Sequence, residues 1–179
     1  MAIVSYGLKI TEAYHIFDKT IKIYRNAVHY ISDIAIRHFD ELKSLESITG
    51  DDGKVIISAQ QRRQQKMERL IHSTANNDAT YKRFDKEFYK FPSYLRRDAI
   101  NTSIGLMLSY RSQLQNWENG GKHGCRPYLN RNQNTMPCFY RNNTFLDSEE
   151  TNIISLKLYN GKDWIWETFV IRDCDFMYA

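Results

Sequence analysis

A chain of 179 residues falls in the range of one ordinary domain or two small ones, and its apolar fraction of 42% suffices for a packed core. The net charge of +4 is too mild for a basic tail but compatible with a positive groove. Three scattered cysteines, none in a C-x-x-C pair, argue against a disulfide framework and a self-contained zinc ribbon, and no run approaches the roughly 18 apolar residues of a membrane span.

The charge is unevenly placed. Residues 1–81 carry 11 Lys/Arg against 10 Asp/Glu, residues 82–141 carry 11 against 4, and residues 142–179 carry 3 against 7. A basic middle third suits a phosphate-binding surface, because each neutralised phosphate releases condensed counterions. A solvated helix face is the plain alternative. The 12 tyrosines pair an apolar ring with a polar tip, which suits half-wet interfaces as well as the rim of a small core.

In chain order, Ile3–Leu8 reads as a short β-like run. From Thr11, a candidate N-cap, Tyr14, Phe17, Ile21, Tyr24, Val28, Ile31, Ile34/Ala35 and Phe39 recur at steps of three and four, predicting one long amphipathic helix to about Leu45. His15, His29 and His38 lie on it at spacings that do not bring them together. The cluster Thr49-Gly50-Asp51-Asp52-Gly53 is a turn, followed by the brief apolar run Val55-Ile56-Ile57. Ser58 with Gln61 forms a capping box that opens a second helix, thinly apolar (Met67, Leu70, Ile71) and basic elsewhere (Arg62, Arg63, Lys66, Arg69). A short helical stretch spans Tyr81–Tyr89.

Pro92-Ser93 begins another strong helix, with Leu95, Ala99, Ile100, Ile104, Leu106/Met107, Leu108, Leu114 and Trp117 inward and Arg96, Arg97 and Arg111 directed elsewhere. Asn119-Gly120-Gly121 ends it. Residues 122–143 read as extended. Ile154, Leu156 and Leu158 then alternate with polar partners, Asn160-Gly161 marks a hairpin, and Trp164–Ile171 returns. The expected class is therefore α+β. Because the opening strand is too short to stand alone, it is expected to pair with the late strands, making the helices an insertion into a small antiparallel β-ribbon or β-barrel domain.

Catalytic signatures are lacking: there is no phosphate-binding glycine loop, nucleophile elbow or H-E-x-x-H. Asp51/Asp52 and Glu149/Glu150 read as polar turns, while Asp173 and Asp175 offer two carboxylates without a third. His123 and Cys125 supply two metal ligands at most. The expectation is a chain without its own catalytic site, cofactor or metal, cytoplasmic and not membrane-bound. The start lacks the basic n-region and apolar core of a signal peptide.

The informative residues are basic and aromatic together. Lys90-Phe91-Pro92-Ser93-Tyr94-Leu95-Arg96-Arg97 opens a helix whose free N–H groups favour phosphate. Arg126-Pro127-Tyr128, Asn130-Arg131-Asn132 and Phe139-Tyr140-Arg141-Asn142-Asn143 follow. Arginine forks onto phosphates or guanine edges, asparagine pairs with adenine, and tyrosine stacks on exposed bases. Protein interfaces share the same enrichment in Tyr and Arg, so a partner-docking module is the rival reading, with the acidic 147–175 stretch and an exposed Trp164/Trp166 pair as its contact.

The order Phe91-Pro92-Ser93-Tyr94-Leu95-Arg96-Arg97-Asp98-Ala99-Ile100, Ser109-Tyr110-Arg111-Ser112, Leu114-Gln115-Asn116-Trp117-Glu118, Arg126-Pro127, Met136-Pro137-Cys138-Phe139-Tyr140-Arg141 and the 154–166 hairpin resembles the N-terminal half of TnpB (OrfB-type) proteins. These are transposase-associated, RNA-guided nucleases of insertion sequences, related to type V CRISPR effectors. The resemblance implies a wedge-like β domain, residues 1–10 and 119–179, with an inserted helical recognition block, residues 11–118. It implies guide RNA and target DNA as partners, with a nuclease-domain polypeptide as a further one, since the family's acidic triad and four-cysteine ribbon have no counterpart here. Under it Arg62, Arg63, Arg96, Arg97 and Arg111 are expected on phosphates. Tyr94, Tyr128, Tyr140, Arg126, Arg131 and Arg141 are expected closer to bases or backbone.

Overall fold

The computed structural model describes residues 15–130, 135–147 and 152–171. Helix α1 (His15–Arg37) buries Tyr24, Val28, Ile31, Ile34 and Ala35 of the predicted stripe, and Ala27 beside them. It does not continue to Leu45. His38 leaves helical geometry (φ −103°, ψ 21°), and a short α2 (Phe39–Lys43) follows. The imidazole of His38 contacts Glu41 Oε2 through Nδ1 and the Tyr81 hydroxyl through Nε2, each at 3.0 Å, and so ties the break to the chain ahead of α4. The Thr11 cap and the Ile3–Leu8 run lie outside the described residues, as does any pairing of that run.

Strand β1 (Ile48–Thr49) and β2 (Val55–Ile57) form a small hairpin, which gives the Val55-Ile56-Ile57 run an antiparallel partner. Helix α3 (Ala59–Ile71) starts at the predicted capping box: Ser58 Oγ accepts from the Gln61 N–H, and Gln61 Oε1 accepts from the Ser58 N–H. Its buried residues are Met67, Leu70 and Ile71. Helix α4 (Arg83–Glu87) delivers Phe84 and, just beyond it, Phe88, which cluster with Phe91.

Helix α5 (Ser93–Asn119) is the spine of the fold and packs along α1 and α3. It buries Leu95, Ala99, Ile100, Ile104 and Met107, and stops where Gly121 takes a positive φ of 77° and the Lys122 N–H reaches Trp117 O. Among the described residues of the segment beyond α5 there is no helix or strand until β3 (Phe145–Asp147), yet they are pinned: Arg25 Nε donates to Thr135 O, and the Cys138 N–H donates to Asp98 Oδ2.

β3, β4 (Ile153–Tyr159) and β5 (Trp164–Val170) make an antiparallel sheet in that order. The β4–β5 turn is four residues long, with the Asn160 side chain accepting from the N–H groups of Lys162 and Asp163 and Gly161 at φ 102°. Ile154, Leu156, Leu158 and Phe169 form the inner face against the start of α1, where Phe17 meets Phe169 at 5.2 Å. The architecture is thus α+β with two small antiparallel sheets, and no closed barrel forms among the described residues. The hairpin end joins the helical core: Trp164 packs on Phe91 at 5.2 Å, and Thr20 Oγ1 accepts from the Tyr159 N–H. Trp164 is therefore only 6% exposed, correcting the expected exposed Trp164/Trp166 pair, of which Trp166 alone faces out at 41%.

Candidate nucleic-acid interface

The structure divides the expected basic residues into those held by the protein and those left to solvent. Arg62 Nη1 donates to Glu46 O at 2.7 Å. Arg63 donates to Leu42 O in the last turn of α2 and to Leu45 O in the loop just beyond it. Lys66 pairs with Glu41 of α2. Three of the four cations on α3 therefore fasten α2 and the loop after it. The fourth, Arg69, is exposed and its guanidinium has no partner among the described residues.

Arg96 does not point outward. Its side chain is 10% exposed, with Nε and Nη2 on Glu68 Oε1 at 3.3 and 3.0 Å and Nη1 on Phe91 O at 3.5 Å. The helical spacing predicts Arg96 directed away from the apolar side; what draws it inward is the facing carboxylate on α3, which no one-helix pattern reveals. Arg97 stays 48% exposed, 3.6 Å from the other oxygen of Glu68. Its guanidinium lies 5.6 Å from the Tyr94 ring centre, and Tyr94 in turn meets Tyr140 at 5.5 Å. Two residues 46 apart in sequence are thereby joined into one aromatic platform beside a cation.

Tyr140 is placed by a tight turn. Its N–H donates to Thr144 Oγ1 at 2.7 Å, and its carbonyl accepts from Asn143, Thr144 and Phe145. Burial, with Asp98 nearby, pushes its phenol above the ordinary tyrosine range. Arg141 Nε pairs with Asp147 at 2.9 Å. Arg111 lies 4.2 Å over the Phe39 ring, at a second cleft shared with Lys43. Arg126 and Tyr128 project from the segment after α5, Tyr128 at 76% exposure, and Arg131 lies outside the described residues. Tyr94, Arg97 and Tyr140 are thus brought together; Arg62, Arg63 and Arg111 sit on other contacts.

Between α3 and the start of α5 runs a cleft of about 690 Å³ lined by Glu68, Arg69, His72, Asn77, Arg96 and Arg97, among others. Arg69 was outside the expected site. The signal that could have found it is its position as the one α3 cation beyond reach of α2. Among the described residues no three His, Cys, Asp or Glu side chains gather to hold a metal ion, and Asp173, Cys174 and Asp175 lie outside them. Cys125 and Cys138 are free and exposed, the Cys138 thiol pushed up by burial and by Asp98. No helix of the described residues is long and apolar enough to cross a membrane.

Fold and site define a mixed α+β protein with a basic, aromatic face at the start of its longest helix. The chain belongs to the Aq_aa04 family, whose sequence model matches residues 3–160. Neither a curated protein nor a solved structure matches it.

Proposed function

We propose that the chain is a nucleic-acid-binding module that works through the Arg97–Tyr94–Tyr140 face. The observation that carries this reading is the stack itself: a half-exposed guanidinium over one tyrosine, which abuts a second exposed one. Proteins that hold RNA or single-stranded DNA combine cations for the backbone with rings for the bases. The first turn of α5 adds to it, since it carries no acidic residue and no side-chain cap. In the form given by the TnpB resemblance, the module grips a guide RNA and its target DNA and leaves cleavage to a separate nuclease polypeptide.

Gel-shift titration of the full chain with a structured RNA and with duplex DNA, at low and near-physiological salt, tests the reading. Binding that weakens with salt and is reduced by Arg97→Ala supports it. No binding to either at low salt overturns it. Docking of a partner protein is favoured by a different observation, the exposed Val55 and Ile56 (67% exposed) on the β1–β2 hairpin. Such an interface would respond little to salt.

A further inference from the structure

Resting on the nucleic-acid reading and narrowing it, we infer that the α3–α5 cleft is a phosphate subsite and the Tyr94–Tyr140 platform its adjoining base subsite. The module therefore selects single strands over duplexes. The charge in the cleft is unbalanced. Arg69, Arg96 and Arg97 line it against one carboxylate, Glu68. Arg96 takes up one oxygen of Glu68 at 3.0 Å, whereas Arg97 stands 3.6 Å from the other and Arg69 has no partner among the described residues. The Arg69 guanidinium of α3 is thus open to an anion, and the loosely paired Arg97 of α5 lines the same cleft; a guanidinium fork suits bidentate binding of phosphate.

A helix C-terminus would normally repel an anion here, because its last carbonyls carry partial negative charge. That repulsion is muted. Asn77 Nδ2 donates to Arg69 O and to His72 O, each at 2.9 Å, and the Tyr81 N–H donates to Leu70 O at 2.8 Å. His72 is itself fixed by Asp85 on Nδ1 at 2.7 Å, which leaves Nε2 without a partner among the described residues. The end of α3 therefore presents largely occupied carbonyls beside the Arg69 guanidinium.

Arg97 belongs to both subsites, lining the cleft and lying over Tyr94. A phosphate held between Arg69 and Arg97 places its own nucleoside toward Tyr94 and Tyr140. Only an unstacked base can reach those rings, since a duplex keeps its bases inside and offers phosphates alone. Stacking on aromatic side chains is strong enough for about a tenfold preference or more.

Fluorescence anisotropy with three labelled oligomers of equal length tests this: a single-stranded oligouridylate, its duplex with oligoadenylate, and a single strand of abasic sugar-phosphate units. The wild-type chain is expected to bind the oligouridylate about tenfold more tightly than the other two. Tyr140→Leu should remove that preference while leaving abasic binding in place, and Arg69→Gln or Arg97→Gln should weaken all three. Circular dichroism melting confirms that each variant folds, and Tyr94→Leu serves as a second ring variant. Equal binding to all three oligomers by the wild type overturns the base subsite and leaves the nucleic-acid reading standing. An unchanged affinity in both arginine variants overturns the phosphate subsite. Absence of binding to every oligomer removes the underlying reading as well.

Discussion

The phenol of Tyr24 on α1 donates a 2.6 Å hydrogen bond to Asp98 Oδ2 on α5, an oxygen that also accepts the Cys138 N–H at 3.0 Å. One buried carboxylate thereby fastens two long helices and the irregular segment leading to Tyr140. Tyr24 has no exposed surface and Asp98 is buried beside it. Thr102 adds a 3.2 Å contact to the same phenol.

Removing that phenol should cost stability without removing the fold. Tyr24→Phe leaves Asp98 with its Cys138 contact but without its closest donor, a loss of about 1.5–3 kcal/mol. Urea denaturation reads it directly, as a lower midpoint at an unchanged slope.

Alkaline pH should do the same. Burial, and then the hydrogen bond to Asp98, raise the Tyr24 phenol well above its ordinary value of 10.0. The folded pKa exceeds the unfolded one, so the neutral phenol's stabilising contribution is complete below pH of about 10 and is lost as pH rises beyond it. Stability measured from pH 8 to 11 should fall more steeply in the wild type than in Tyr24→Phe.

Arg96 and Arg97 are neighbours with opposite roles. Arg96→Ala leaves the largely buried Glu68 with only its long contact to Arg97 and should cost about 3 kcal/mol. Arg97→Ala removes a half-exposed side chain with one long ion contact and should change stability by no more than about 0.5 kcal/mol. Thermal melts of the two variants separate them, and nucleic-acid affinity should follow Arg97.

Much of the fold was legible because the signals were local. The apolar spacing of α1 and α5, the Ser58/Gln61 capping box and the period-two run before Asn160-Gly161 each act within a few residues. What escaped depends on distant partners. Ile48–Thr49 is a strand only because β2 pairs with it, Phe145–Asp147 only because β4 offers an edge, and His38 breaks α1 where Tyr81 binds it. In the site, Tyr94 and Tyr140 were each predicted but not their contact. Arg62 and Arg63 carry the charge expected of them, yet backbone carbonyls 16 to 21 residues away engage it. The barrel of the expected β domain would need the opening strand, which lies outside the described residues.

Trp164 should tolerate phenylalanine better than alanine. Its ring contacts Phe91 and Tyr159, so Trp164→Ala should cost about 3–5 kcal/mol. Its buried Nε1 has no hydrogen-bond partner among the described residues, a group whose burial is itself unfavourable by about 1–3 kcal/mol. Trp164→Phe relieves that cost and should lose about 1 kcal/mol or less, as read from melting temperatures.

Arg63 should act on α2. Arg63→Ala frees the Leu42 and Leu45 carbonyls and should lower stability by about 1 kcal/mol. Native-state hydrogen exchange should show faster exchange confined to the α2 amides.

The most direct test of nucleic-acid binding is the salt dependence of affinity for a single-stranded RNA, compared between the wild type and Arg69→Gln/Arg97→Gln. A plot of log affinity against log salt should slope downward in the wild type, and the double variant should flatten that slope by roughly 1 to 2. An affinity independent of salt, or no binding at the lowest salt, would contradict the account.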